Sequence, residues 1–271
     1  MSRQEQWQLG GDAPEAYERC LVPAVLGPLA ADLVELASLQ PGERVLDVAC
    51  GTGAVARLAA QRVGARGRLM GLDLNSGMLA VARSLPASPG APVQWLRGDA
   101  LALPSKDEAF DVVLCQQGLQ YFPDRPAALR EMYRTLAPGG RLALSVARSL
   151  QFNPVHALLV EALERHVSSE TAEILRAGFA FGDAEELRTL IAGAGFRQVV
   201  IRPAAVRVSF PSPAEFVWRQ VAGSPLAGPV AQANEEARVA LIRDAEGALQ
   251  PYVSDDRLTF PLGTNHAVAF R

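Results

Sequence analysis

The chain has 271 residues, 49% of them hydrophobic, enough for one large core or a core with a subdomain. Its net charge of −3 lacks the basic excess of a nucleic-acid binder. Three cysteines without metal or CxxC spacing fit a reducing cytoplasmic setting, each as a small buried residue.

The first 13 residues are polar and have no signal-peptide core. Pro14 to Leu21 and Pro28 to Leu39 read as two helices, the second with Leu29, Leu33 and Leu36 on one face. The apolar run from Leu21 to Ala37 contains Pro23, Pro28, Asp32 and Glu35, so it packs rather than spans a membrane. Tyr17, and with it Trp7, is placed to cover a ligand or to pack the helix down.

Val45 to Val48 is a buried strand, and Ala49-Cys50-Gly51-Thr52-Gly53 is a small-residue turn. Ala54 to Val63 follows as a helix that Gly64 stops. A strand, a glycine turn and a helix form a nucleotide-type corner, in which Gly51 and Gly53 permit a sharp turn and close approach to a ligand. Three readings stand here: a plain turn, the loose G-x-G-x-x-A dinucleotide fingerprint, and a site for a cationic ligand beside Asp47. A carboxylate next to a pyrophosphate is repulsive and next to an amine attractive, which favours the third.

The second strand, Arg68 to Asp73, ends on an acid about 20 residues past the loop, the spacing at which a carboxylate accepts from ribose hydroxyls. Asn75 or Ser76 caps a helix through Ala82, with Met78 in its first turn able to lie on an adenine face or in the core. Val93 to Arg97 is the third strand, with Asp99 and Ala100 behind it. Phe110 to Cys115 is the fourth, followed by a loop carrying Gln116, Gln117, Gln120 and Tyr121. Arg125 to Leu136 is helical, and Pro138-Gly139-Gly140 turns the chain into a fifth strand, Arg141 to Ala147.

Beyond it, Asn153–Val167, Ser169–Ala177, Asp183–Ala194, Pro213–Val221 and Pro229–Leu249 read as helices. Gln198 to Phe210 is extended with a bend at Pro203, and Thr264 to Arg271 is a last strand.

Asp47, the glycine loop, Asp73, Asp99 and the Pro-Gly-Gly turn together resemble class I S-adenosylmethionine (AdoMet)-dependent methyltransferases, in the small-molecule group that includes quinone-biosynthesis C-methyltransferases. Ala49 stands where the family has its first loop glycine. The resemblance is at the level of motifs over about residues 43–147. It implies an α/β, Rossmann-like fold: a seven-stranded, mostly parallel sheet with its last strand antiparallel, helices on both faces and a helical lid. The division it suggests is 1–42 cap helices, 43–148 AdoMet-binding core, 149–182 lid, 183–210 core, 211–263 second lid and 264–271 final strand.

The implied cofactor is AdoMet, held by Tyr17, Asp47, Ala49, Gly51, Gly53, Asp73, Leu74, Met78, Asp99, Ala100 and Gln116. The implied partner is a small, apolar or aromatic acceptor, methylated on O or C and lined by Gln117, Gln120, Tyr121, Phe152, Phe179 and Phe181. The loop Cys115-Gln116-Gln117-Gly118 departs from the Asp/Asn-Pro-Pro-aromatic tetrad of DNA amino-methyltransferases. His156 is the candidate general base where the acceptor keeps a proton, and no metal cluster is expected. An NAD(P)-dependent oxidoreductase and a non-catalytic AdoMet binder remain the alternatives, and the sequence leaves oligomeric state open.

Overall fold

In the computed structural model, residues 8–271 are described. Eight strands form one sheet: β1 (Arg44–Val48), β2 (Arg68–Asp73), β3 (Val93–Arg97), β4 (Phe110–Gln116), β5 (Leu136–Ala147), β6 (Arg197–Phe210), β7 (Val253–Ser254) and β8 (Arg257–Phe270). Their order is β3-β2-β1-β4-β5-β8-β6, and the two residues of β7 fold back on β8. Strands β1 to β5 run parallel, and β8 lies antiparallel between β5 and β6. This is the Rossmann-like sheet implied by the sequence. Strands β1 and β4 are buried along almost their whole length, as sequences rich in Val, Leu and Cys require of a sheet covered on both faces.

The helices follow in chain order. Those in the first two-thirds are α1 (Ala13–Ala16), α2 (Gly27–Leu36), α3 (Ala54–Val63), α4 (Ser76–Ser84), α5 (Arg125–Thr135), α6 (Pro154–His166), α7 (Ser169–Ala177) and α8 (Ala184–Gly193). After β6 come α9 (Pro213–Ala222), α10 (Ala227–Gln232) and α11 (Glu235–Leu249).

Several features differ from the sequence reading, among them β5, which begins at Leu136 and takes in the Pro138-Gly139-Gly140 stretch. The two N-terminal helices are one helical run, because Tyr17–Leu26 is a π-helix joining α1 to α2. Proline has no N–H and crowds the turn before it, and the wider π turn accommodates Pro23 without breaking the run. Pro203 does not bend β6. That strand is the sheet edge, where a missing donor costs no ladder bond. Finally, β8 begins at Arg257, seven residues before the expected start, and the expected helix 229–249 is split at Asn234, whose side chain caps α11 by accepting from the Ala237 amide at 2.8 Å.

The long β8 matters for the site. Its first half, with the second half of β6, extends past the parallel sheet as a two-stranded ribbon. Val206, Val208 and Phe210 alternate along β6, and Leu258, Phe260 and Leu262 along β8, so all six sit in one apolar cluster. Residues of α6, α7, α9 and α11 complete that cluster. These helices and the ribbon therefore form a second layer grown on two core strands, and their apolar cluster joins the rest of the fold through Leu29 and Ala147.

Candidate functional site

A cavity of about 330 Å³ opens where the parallel strands end. One wall comes from the loops after β1, β2, β3 and β4: Ala49 and Gly51, then Asp73, Leu74, Asn75 and Met78, then Asp99 and Ala100, then Gln116, Gln117 and Gln120. Such a position, outside the carboxyl ends of the strands, is where open α/β sheets bind ligands. The opposite wall comes from the N-terminal helical run, α6, α7, the turn after α9 and β8.

The glycine loop is held in shape by alternating left-handed residues: Ala49 (φ 57°), Gly51 (φ 55°) and Gly53 (φ 88°). Its two glycines have different reasons. A Cβ on Gly51 would meet only the Tyr17 ring, at 3.6 Å, and Gly51 lines the cavity. A Cβ on Gly53 would lie 2.2 Å from the Trp95 indole. Trp95 on β3 pairs with Gly71 on β2, crosses it, and closes on the loop from behind. A side chain at Gly53 is thus excluded by the Trp95 ring, and Gly53 is not among the residues that line the cavity.

Asp73 lines the cavity and accepts from the Gly51 amide at 2.7 Å and the Asn75 amide at 2.8 Å, one on each oxygen. Each oxygen keeps lone-pair capacity for a ligand hydroxyl. Burial pushes its carboxyl above the ordinary range, while these amides oppose the shift. Asp99 accepts from the Leu101 amide at 2.9 Å and borders the same wall. Asn75 caps α4 with its oxygen and donates its amide to the Leu9 carbonyl at 2.9 Å, drawing residues 8 and 9 onto the cavity rim.

Asp47 is only 1% exposed and does not line the cavity. It sits behind the loop, and neither carboxylate oxygen has a hydrogen-bond partner. Burial raises its pKa well above the ordinary value; the nearby Ala56 amide opposes the shift and the Asp73 charge adds to it.

Tyr17 reaches the cavity over Gly51, and burial is the main cause of its raised pKa. The ion pair between Glu18 and Arg57, at 3.1 Å, ties this part of the helix to α3. Trp7 lies outside the described residues.

On the lid side, His156 and Phe179 line the cavity. His156 is 5% exposed and packed among Phe179, Phe216 and Phe260, with ring centroids at 4.8, 5.6 and 5.7 Å. This desolvation pushes its pKa down to about 4, so the ring is neutral at physiological pH. Gln120 donates to the Gln117 amide oxygen at 2.9 Å, and Gln116 donates to the Leu26 carbonyl at 3.0 Å. Among the described residues lining the cavity only Asp73 and Asp99 are acidic, and none is lysine or arginine. Among the described residues no group of three or more His, Cys, Asp or Glu could hold a metal ion.

Residues 45–140 match a family model described as a methyltransferase domain. A 2-phytyl-1,4-naphtoquinone methyltransferase of Thermosynechococcus vestitus is 45% identical over 117 residues, 43% of this chain and 50% of that protein. The chloroplastic 2-phytyl-1,4-beta-naphthoquinone methyltransferase of Arabidopsis thaliana is 36% identical over 176 residues, 60% of this chain and 67% of that protein. The chain belongs to the class I AdoMet-dependent methyltransferases. It spans about half the length of most of the curated relatives it matches. A phosphoethanolamine N-methyltransferase 2 of Haemonchus contortus, solved in complex with S-adenosyl-L-methionine, shares the fold at a TM-score of 0.59 and 19% identity, over 95% of this chain and 56% of that one. Family membership removes the NAD(P)-dependent oxidoreductase alternative, and AdoMet is the family's cofactor.

The residues read for the cofactor converge on the cavity, apart from Asp47 and Gly53 behind the loop. The acceptor set divides. Gln117, Gln120, Tyr121 and Phe179 border the cavity. Phe152 and Phe181 do not. Phe152 is 41% exposed and lies under the Arg148 guanidinium at 3.3 Å. Phe181 is 2% exposed, in the core beneath the sheet, with the Arg125 guanidinium 4.3 Å from its ring.

The sequence reading missed Leu21, Val25 and Leu29, Gln220, the turn Gly223 to Leu226, and Leu262. The four-residue spacing of Leu21, Val25 and Leu29 was the available signal for the first group. The others depend on where the ribbon carries α9 and β8.

Proposed function

We propose that this methyltransferase moves a methyl group from AdoMet to oxygen or carbon of a small, predominantly apolar metabolite of quinone or phenol type. The observation that carries the reading is a single cavity with acids on its strand-end wall and a largely apolar lid wall. The names of the relatives, both naphthoquinone methyltransferases, support the acceptor class. Asp73 takes the ribose hydroxyls, Asp99 and the Ala100 amide take the adenine edge, Met78 and Leu74 flank the ring, and Tyr17 covers the methionine end. Asp47 acts through its field: an unpaired buried carboxylate behind a thin loop favours a cation in front of it.

AdoMet, when bound, supplies an electrophilic methyl on a sulfonium. The chain's part is alignment and exclusion of water, performed by the N-terminal helical run, α7 and the α9–α10 turn. The lid side would orient the acceptor against that methyl, and a proton released by the acceptor would pass to solvent rather than to His156, whose buried ring is held neutral. No helix among the described residues is long and apolar enough to cross a membrane. Buried, unpaired Cys20, Cys50 and Cys115 suit a reducing cytoplasm.

The test is formation of S-adenosylhomocysteine with a panel of hydroquinones and phenols, against the same mixture without acceptor. Acceptor-dependent product supports the proposal. Product formed only with charged acceptors such as phosphoethanolamine contradicts it.

A further inference from the structure

The lid side of the cavity holds one ring whose two nitrogens have different surroundings. His156 Nδ1 is sealed in protein and has no hydrogen-bond partner. Nε2 is not sealed and makes no hydrogen bond among the described residues, and at 5% exposure the surface left to it is the cavity that His156 lines. The cavity wall that His156 shares carries Ile174, Leu175, Phe179, Leu226 and Leu262, with Gln220 and Ser224 as its neutral polar members, and none of these is acidic or basic. Among the described residues, the two carboxylates that border the cavity, Asp73 and Asp99, lie on the strand-end wall. A phosphate or carboxylate on the acceptor would be desolvated there without a cation, and an ammonium without an anion, and each costs far more than burying a neutral group.

We propose that His156 is a neutral hydrogen-bond anchor of the acceptor pocket, and that the acceptor it selects is an uncharged molecule with a hydroxyl on an otherwise apolar body. The proposal rests on the methyltransferase reading and deepens it. A neutral imidazole presents either a lone pair or an N–H at Nε2, and a hydroxyl is both donor and acceptor, so it satisfies either tautomer. The three phenylalanines hold the ring in place, and the low pKa that their packing gives it keeps it uncharged over the physiological range. His156 therefore differs from a titrating base: it fixes which end of the acceptor points inward.

The experiment is calorimetry on protein saturated with S-adenosylhomocysteine, using 4-butylphenol, 4-butylanisole and 4-butylbenzoate as probes. These share ring and tail, and carry a hydroxyl, an ether and a negative charge. On the wild-type protein the phenol binds at least about tenfold more tightly than the ether, as one desolvated hydrogen bond predicts, and the benzoate gives no binding. His156→Leu loses the preference for the phenol and keeps the ether affinity, while His156→Gln restores part of the preference. Equal affinity for phenol and ether, tightest binding of the benzoate, or no phenol binding overturns the proposal. So does a preference that survives in His156→Leu. The wild-type probe series decides even where a variant fails to fold. Failure of the wild-type protein to bind S-adenosylhomocysteine at all sinks the methyltransferase reading instead, and is seen before any probe is added.

Discussion

Asp47→Asn makes the apo protein more stable while weakening cofactor binding. The wild-type carboxylate is buried with both oxygens unpartnered, and its raised pKa records the cost of its charge there. Unfolding returns it to water. The folded pKa lies above the unfolded one, so the folded chain binds the extra proton, and stability falls as pH rises above the ordinary carboxylate range. Asparagine keeps the shape, removes the charge and leaves an amide still to be satisfied. The net gain is about 1–3 kcal/mol at neutral pH, since an unpaired buried charge costs more than an unpaired neutral group. For a chain of this size that is a rise in Tm of about 2–5 °C. Differential scanning calorimetry of apo protein across pH 4–8 measures it, and the gap between variant and wild type widens with pH. Titration with AdoMet shows an affinity loss of about tenfold or more, from the missing field at the sulfonium and amine. A variant less stable than wild type at neutral pH, or one with unchanged affinity for AdoMet, refutes the account of Asp47.

Three further outcomes follow from particular contacts. Gly51→Ala costs about 1 kcal/mol from its left-handed backbone alone, whereas Gly53→Ala adds the collision with Trp95 and costs about 3 kcal/mol or more; urea unfolding of both variants separates them. His156 has a folded pKa of about 4 against 6.5 unfolded, so its contribution is full above the unfolded value and is lost as pH falls towards the folded one, by about 3 kcal/mol, read as the difference in pH-dependent stability between wild type and His156→Leu. Phe181→Ala costs about 3–5 kcal/mol as a core deletion, and Phe152→Ala, on the exposed side of Arg148, costs about 1 kcal/mol or less and leaves acceptor turnover unchanged.

The parallel half of the fold was legible because its signals are local. Strands buried on both faces are continuous apolar runs, and each ends at an acid or a small-residue loop that can be counted along the chain. Asp73, Asp99, Met78 and Gln116 were reached in this way, and all border the cavity. What was not legible depends on contacts between distant segments. The bond between Asn75 and the Leu9 carbonyl spans 66 residues, and the Trp95 ring that decides Gly53 comes from another strand. Phe152 and Phe181 were chosen by segment, but a lining position depends on the face a residue presents, which only the ribbon of β6 and β8 fixes. Pro23 and Pro203 read as breaks because proline usually interrupts a hydrogen-bonded element. A π turn in one case and an edge strand in the other removed the donor that proline would have denied.

The central claim is that the strand-end wall is an AdoMet site, and calorimetry with AdoMet, S-adenosylhomocysteine and NADH on wild type and Asp73→Ala tests it most directly. The account predicts that wild type binds AdoMet and S-adenosylhomocysteine and gives no heat with NADH. Asp73→Ala, which loses the acceptor for the ribose hydroxyls, binds AdoMet at least about tenfold more weakly. Binding of NADH without AdoMet, or AdoMet affinity untouched by Asp73→Ala, contradicts it.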